Sequence, residues 1–60
     1  MDPNACYELL VAALAAGDEY ETACARDDLQ NWLNKGGFWP TNATRAEVEA
    51  ALEQAASAVA

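Results

Sequence analysis

Histidine is absent from this 60-residue chain and cations are scarce: Arg26, Lys35 and Arg45 stand against ten carboxylates, for a net charge of −7. The missing imidazole removes the side chain best suited to acid–base work near neutral pH. It also leaves any zinc site to be assembled from Cys6, Cys24 and carboxylates, a poor donor set. With the three cations far apart in the chain, no basic patch forms to neutralise phosphates, so direct binding of DNA or RNA is disfavoured. No apolar run approaches the ~20 residues of a membrane span, and the opening Met-Asp-Pro-Asn has no basic leader region. No segment shows the alternation and β-branched content of a strand. The expectation is a cytoplasmic protein with reduced thiols, no metal and no cofactor.

What is present is helical punctuation around apolar residues, which make up 53% of the chain. That content, at helical spacing, argues for a folded chain rather than a disordered one. Asp2 and Pro3 open a helix, because the carboxylate caps free N–H groups and Pro tolerates the first turn. Gly17 supplies a left-handed stop near Ala16, and Asp18 recaps at once, with Glu21 three residues on. A second helix then runs to about Lys35 and ends at Gly36 and Gly37. Pro40 blocks continuation, and Thr44 with Glu47 forms a capping box for a third helix. The predicted spans are 3–16, 19–35 and 45–58, in one domain covering residues 1–60. The fold class is all-α: an antiparallel hairpin, with a third helix closing over it after the linker Gly36-Gly37-Phe38-Trp39-Pro40.

The helices differ in their faces. At about 100° per residue, helix 3 places Val48, Ala51, Leu52, Ala55, Ala56 and Val59 on one stripe, with Glu47, Glu49, Glu53 and Gln54 outside it. Helix 2 gathers Thr22, Ala25, Leu29, Trp32 and Leu33 on one side and carries Tyr20, Cys24, Asp27, Asp28 and Asn31 on a mixed arc. Between Ala5 and Ala16, helix 1 has no polar side chain beyond Tyr7 except Glu8. Two neighbouring helices cannot cover such a cylinder. The leftover arc includes Leu9 and Val11 beside Ala12 and Ala15, whose small size permits close helix approach, and a homodimer through this stripe is expected.

The chemical constellations reduce to surfaces. Asp27 and Asp28, adjacent on a helix, diverge by about 100° and have no nucleophile or oxyanion donor beside them, so they do not form an acid–base pair. They read either as an acidic recognition spot with Tyr20, Cys24 and Asn31 or as a solvated face beside Arg26, and the second is the ordinary case. Asp18, Glu19 and Glu21 suit the first turn of a helix; a calcium loop would need ligands at alternating positions and a distal Glu, which are missing. The Asn42-Ala43-Thr44 sequon is a chance match without a secretory signal. Cys6 and Cys24 are offset by about five residues across the hairpin, ~7.5 Å along its axis, which disfavours a disulfide and suggests buried free thiols. Phe38 and Trp39 either plug the end of the bundle, the favoured expectation for a small core, or, with Trp39 foremost, anchor a partner.

The run Asp2-Pro3-Asn4, Gly17-Asp18, Trp32-Leu33, Gly36-Gly37-Phe38 and Pro40 resembles a loose group of short uncharacterised bacterial and phage proteins. The resemblance spans roughly residues 2–40, is compatible with an accessory role and names no function, with no catalytic or ligand residues to carry over. The functional expectation is a non-enzymatic, acidic protein–protein interaction module that self-associates, with no membrane and no direct nucleic-acid partner. The alternative is an acidic decoy that occupies the nucleic-acid site of a host enzyme by electrostatic mimicry.

Overall fold

The computed structural model describes residues 2–58. It contains α1 (Pro3–Ala16), α2 (Glu19–Asn34) and α3 (Arg45–Ala58), and no strand among the described residues. Each helix begins where the sequence supplies a cap. The Asp2 carboxylate accepts from the Asn4 N–H at 3.0 Å, and that of Asp18 accepts from the Glu21 N–H at 3.0 Å. Thr44 and Glu47 cap reciprocally: the Glu47 N–H donates to Thr44 Oγ1 at 3.1 Å, and the Thr44 N–H donates to Glu47 Oε1 at 2.9 Å. The Thr44 backbone N–H, and after it the Thr44 hydroxyl, hold the Glu47 carboxyl below the usual glutamate range.

The stops are equally local. Gly17 is left-handed, with φ 70°. The Gly17 and Asp18 N–H groups donate to the Leu14 and Ala13 carbonyls at 3.2 and 3.1 Å, so the orphan carbonyls at the end of α1 are satisfied and the chain reverses at once. α2 repeats the device around Gly36, whose φ is 85°. Its helical span ends at Asn34, one residue short of Lys35, which serves as the cap residue. Gly37 has another task. A Cβ there would run into the Trp32 indole, which lies across this glycine, donates from Nε1 to the Phe38 carbonyl at 3.0 Å and receives the Phe38 ring edge-on, with centroids 5.7 Å apart.

Leu10, Leu29 and Val48, one from each helix, are fully buried and meet Ala25, Ala51 and Ala55 in the core. Burying side chains of this size contributes about 1.5–3 kcal/mol each. Thr22, Ala25 and Leu29 are the buried face of α2, and Trp32 and Leu33 are half-buried. On α3 the predicted stripe is narrower than expected. Val48, Ala51 and Ala55 are buried and Leu52 is half-buried, but Ala56 is exposed, and Val59 lies outside the described residues.

The linker is tied to the start of α1. Asn4 Oδ1 accepts from the Thr41 and Asn42 N–H groups at 2.6 and 3.3 Å, and Asn4 Nδ2 donates to Thr41 Oγ1 at 3.2 Å. At the other end of the molecule Leu14, Gly17 and Ala58 border a common recess. α3 therefore runs in the same direction as α1, and the bundle is up-down-up.

Two sequence expectations need correction. Cys24 is exposed and only Cys6 is half-buried, although both are free. Cys24 sits on the side of α2 facing away from the core, about 100° round the cylinder from Ala25 and about 140° from Leu29. The aromatic pair of the linker also divides. Trp39 packs against the core beneath the Arg45 guanidinium, 4.5 Å from the ring centroid, whereas Phe38 is 59% exposed and touches Trp32 edge-on instead of plugging the bundle.

Candidate functional site

Among the described residues two surfaces are left without a cover. The first belongs to α1. Leu10 and Ala13 point into the core, so residues one position away turn outward, and Leu9 and Val11 are 60% and 42% exposed. Ala12 and Ala15 are exposed between them. Leu9 and Val11 are two residues apart and thus sit about 160° from each other round the helix on the outer side. They mark opposite edges of a largely alanine surface on which Glu8 is the one charge, its Oε1 accepting from Asn42 Nδ2 at 3.3 Å.

The Val11 edge is not simply a convex helix surface. Between α1 and α3 the molecule opens into a groove of about 1060 Å³, whose apolar lining includes Tyr7, Val11, Leu14 and Ala15 from α1 and Ala50 and Ala51 from α3. The groove exists because α3 turns alanines toward α1, and a methyl group cannot reach across the space between two helix axes. The polar lining, Glu47, Glu53, Gln54 and Ser57, comes from α3. Sequence reasoning missed this groove. Its signal was present as the flank Ala50, Gln54, Ser57, Ala58, which is neither core nor strongly charged.

The second surface is the outer arc of α2. Tyr20, Cys24, Asp27, Asp28 and Asn31 are all exposed there, and Tyr20 is 75% exposed. Asp27 is already engaged, its Oδ1 accepting from the Arg26 guanidinium at 3.0 Å. Trp39, predicted as part of a partner surface, does not join this group: it is half-buried under Arg45, which in turn donates to Glu49 Oε1 at 3.1 Å. The linker clamp by Asn4 was also missed, since nothing in local sequence signals a contact between residues 4 and 41.

The chemistry available is modest. Burial, followed by the Asp28 and Asp2 carboxylates, pushes the Cys6 thiol above its ordinary value, so the thiolate needed for nucleophilic attack is disfavoured at neutral pH. Among the described residues no group of three or more Cys, Asp or Glu side chains is placed to hold a metal ion. No described helix is long and apolar enough to cross a membrane. Compared with protein-family models, curated proteins and solved structures, the chain matches none.

Proposed function

We propose that this protein is a small acidic interaction module without catalytic activity, working in the cytoplasm without metal or cofactor, and that it self-associates as a dimer through α1. The observation that carries the reading is the exposure of Leu9 and Val11, at 60% and 42%, on a helix whose uncovered arc holds Ala12, Ala15 and the single charge of Glu8. On a chain with ten carboxylates, a nearly uncharged apolar face is the place where two copies meet with least like-charge repulsion. Pairing it across a two-fold axis removes exposed apolar surface and adds to a thin core. The outer arc of α2, from Tyr20 to Asn31, takes no part in that face and is the surface offered to a different protein.

A nucleic-acid-mimicking decoy would need its carboxylates gathered on one surface. Here Asp18 caps α2, Asp27 pairs with Arg26, Glu49 with Arg45, and Glu47 closes a capping box, an arrangement that favours the interaction module. Light scattering over a concentration series tests self-association. The expected mass approaches twice the 6.4 kDa of the chain, and a monomer mass at every concentration overturns it.

A further inference from the structure

We propose that the groove between α1 and α3 receives a cationic amphipathic helix of another protein, its apolar stripe on the groove floor and its Lys or Arg side chains along the α3 flank. The inference goes beyond self-association and does not rest on it. Tyr7, Val11 and Leu14 form the α1 wall, whereas Ala12, in the middle of the α1 stripe, lies about 100° further round the helix from Val11. The groove and the dimer face therefore share only an edge, at Val11 and Ala15.

The walls set the secondary structure of the occupant. Both are α-helices, whose backbone N–H and C=O groups bond within the helix. An extended segment laid between them would find no sheet edge and would bury unpaired backbone groups, whereas a helix satisfies its own. Ala15, Ala50, Ala51 and Ala58 line the space, and residues of this size let a helix approach closely. From Glu47 to Ala58 the α3 wall runs about 16 Å, or about three helical turns.

The lining sets the charge. Glu47 and Glu53 are its charged groups, both from α3, and among the described residues no cation lines it. The ion pairs of the described chain join Arg26 to Asp27 and Arg45 to Glu49, so neither groove carboxylate is neutralised. Glu47 uses Oε1 in the Thr44 cap and keeps its second oxygen for a partner. An anionic helix would meet two like charges, and a wholly apolar one would cover carboxylates without pairing them. A further copy of this chain fits poorly for the same reason, since its α3 carries Glu47, Glu49 and Glu53. Lys or Arg fits both parts of the lining: the methylene stem lies along the alanines and the charged head reaches the carboxylates.

The probe is a synthetic helical peptide of about 14 residues, long enough to span the groove, with leucines on one stripe and lysines elsewhere. Its control carries glutamates in place of the lysines. Calorimetric titration is expected to show binding of the lysine peptide and none of the glutamate peptide. Ala50→Trp fills the groove without changing charge, at an exposed position where the fold should survive, and is expected to weaken binding about tenfold or more. Glu53→Gln is expected to weaken it about threefold. Asp28→Asn, which removes the same charge from the exposed arc of α2, is expected to leave it unchanged, with circular dichroism confirming the helical content of each variant. Resonances perturbed by the peptide should cluster at Tyr7, Val11, Leu14 and Ala50. Binding that survives Ala50→Trp intact, that Asp28→Asn weakens as much as Glu53→Gln does, or that perturbs Tyr20 to Asn31 in place of the groove overturns the proposal. So does a lysine peptide that fails to bind the wild-type protein.

Discussion

The seam between α1 and α2 and the seam between α1 and α3 use the same helix and come out differently. Toward α2, α1 presents Leu10 and Ala13 and meets Ala25 and Leu29, all buried, across a turn fixed by Gly17 and Asp18. Toward α3 it presents Tyr7, Val11 and Leu14, and finds Ala50, Ala51 and Ala58 with space between them. A filled seam needs one long side chain for each small one facing it. α3 supplies Val48 to the core but alanine to the flank, so its inner stripe closes and its side toward Val11 stays open. Both seams join α-helices, and the smaller side chains of α3 and the absence of a tight turn between α1 and α3 distinguish the open one.

The largest expected effect comes from breaking the filled seam. Leu29 is fully buried, and Leu29→Ala should cost ~2–5 kcal/mol, comparable to the ~3–5 kcal/mol a core of this size supplies. Circular dichroism should find the variant largely unfolded at 25 °C; a cooperative melt near the wild-type temperature would mean that the α1–α2 seam is not the main support. Next comes the linker that hangs α3 on the hairpin. Trp39 packs half-buried against the core and carries Arg45 on its face, so Trp39→Ala should cost roughly 2 kcal/mol, about half the value for a fully buried aromatic. Phe38→Ala, at a position 59% exposed, should cost well under half as much, and equal losses in denaturant titrations would show that the two aromatics share one role.

Smaller effects sharpen the contrast. Gly37→Ala forces the Trp32 indole off the backbone it covers, an overpacking strain of ~1–3 kcal/mol, and should weaken the near-ultraviolet signal of the tryptophans. An unchanged near-ultraviolet spectrum and melting temperature would show that the indole does not rest there. Thr44→Ala removes the side-chain half of the α3 cap, which typically costs ~1 kcal/mol. The other half, Glu47 Oε1 accepting from the Thr44 backbone N–H, survives that change and depends on pH. The Glu47 carboxyl lies below its ordinary value of 4.5 when folded, so the stability it contributes is fully present above that value and is lost as pH falls through the folded pKa. The gap between wild type and Glu47→Ala should therefore narrow on acidification below about pH 4.5, as followed by thermal melts across pH 3–7. A gap constant with pH would leave the carboxylate out of the cap.

Helix number, order and boundaries were readable because their causes are local: Asp2 and Asp18, the Gly17 and Gly36 stops, and the Thr44–Glu47 box each act within a few residues. The core residues Leu10, Leu29 and Val48 followed from helical phase. What escaped depends on distance in space. Asn4 gripping the linker at Thr41 and Asn42, Trp32 lying over Gly37, and the open flank between α1 and α3 all join parts of the chain whose juxtaposition no spacing rule encodes. Cys24 departs from expectation for a simpler reason: the apolar character of a thiol favours burial, but its phase on α2 points away from Leu29. Of the surfaces, the α1 stripe Leu9, Val11, Ala12 and Ala15 and the α2 arc from Tyr20 to Asn31 were legible as exposed faces, but the division of the α1 stripe between groove and margin was not.

The uncovered face of α1 is the part of the molecule from which function is argued, and contacts between protomers test it most directly. A dimer prepared from isotope-labelled and unlabelled chains, examined by filtered nuclear Overhauser spectroscopy, reports distances that can arise only between copies. Intermolecular contacts from the methyls of Leu9, Val11, Ala12 and Ala15 on α1 of one protomer to the same stripe of its partner are the expected result; contacts confined to the α2 arc at Tyr20 and Asn31, or a monomer with none, would contradict the account.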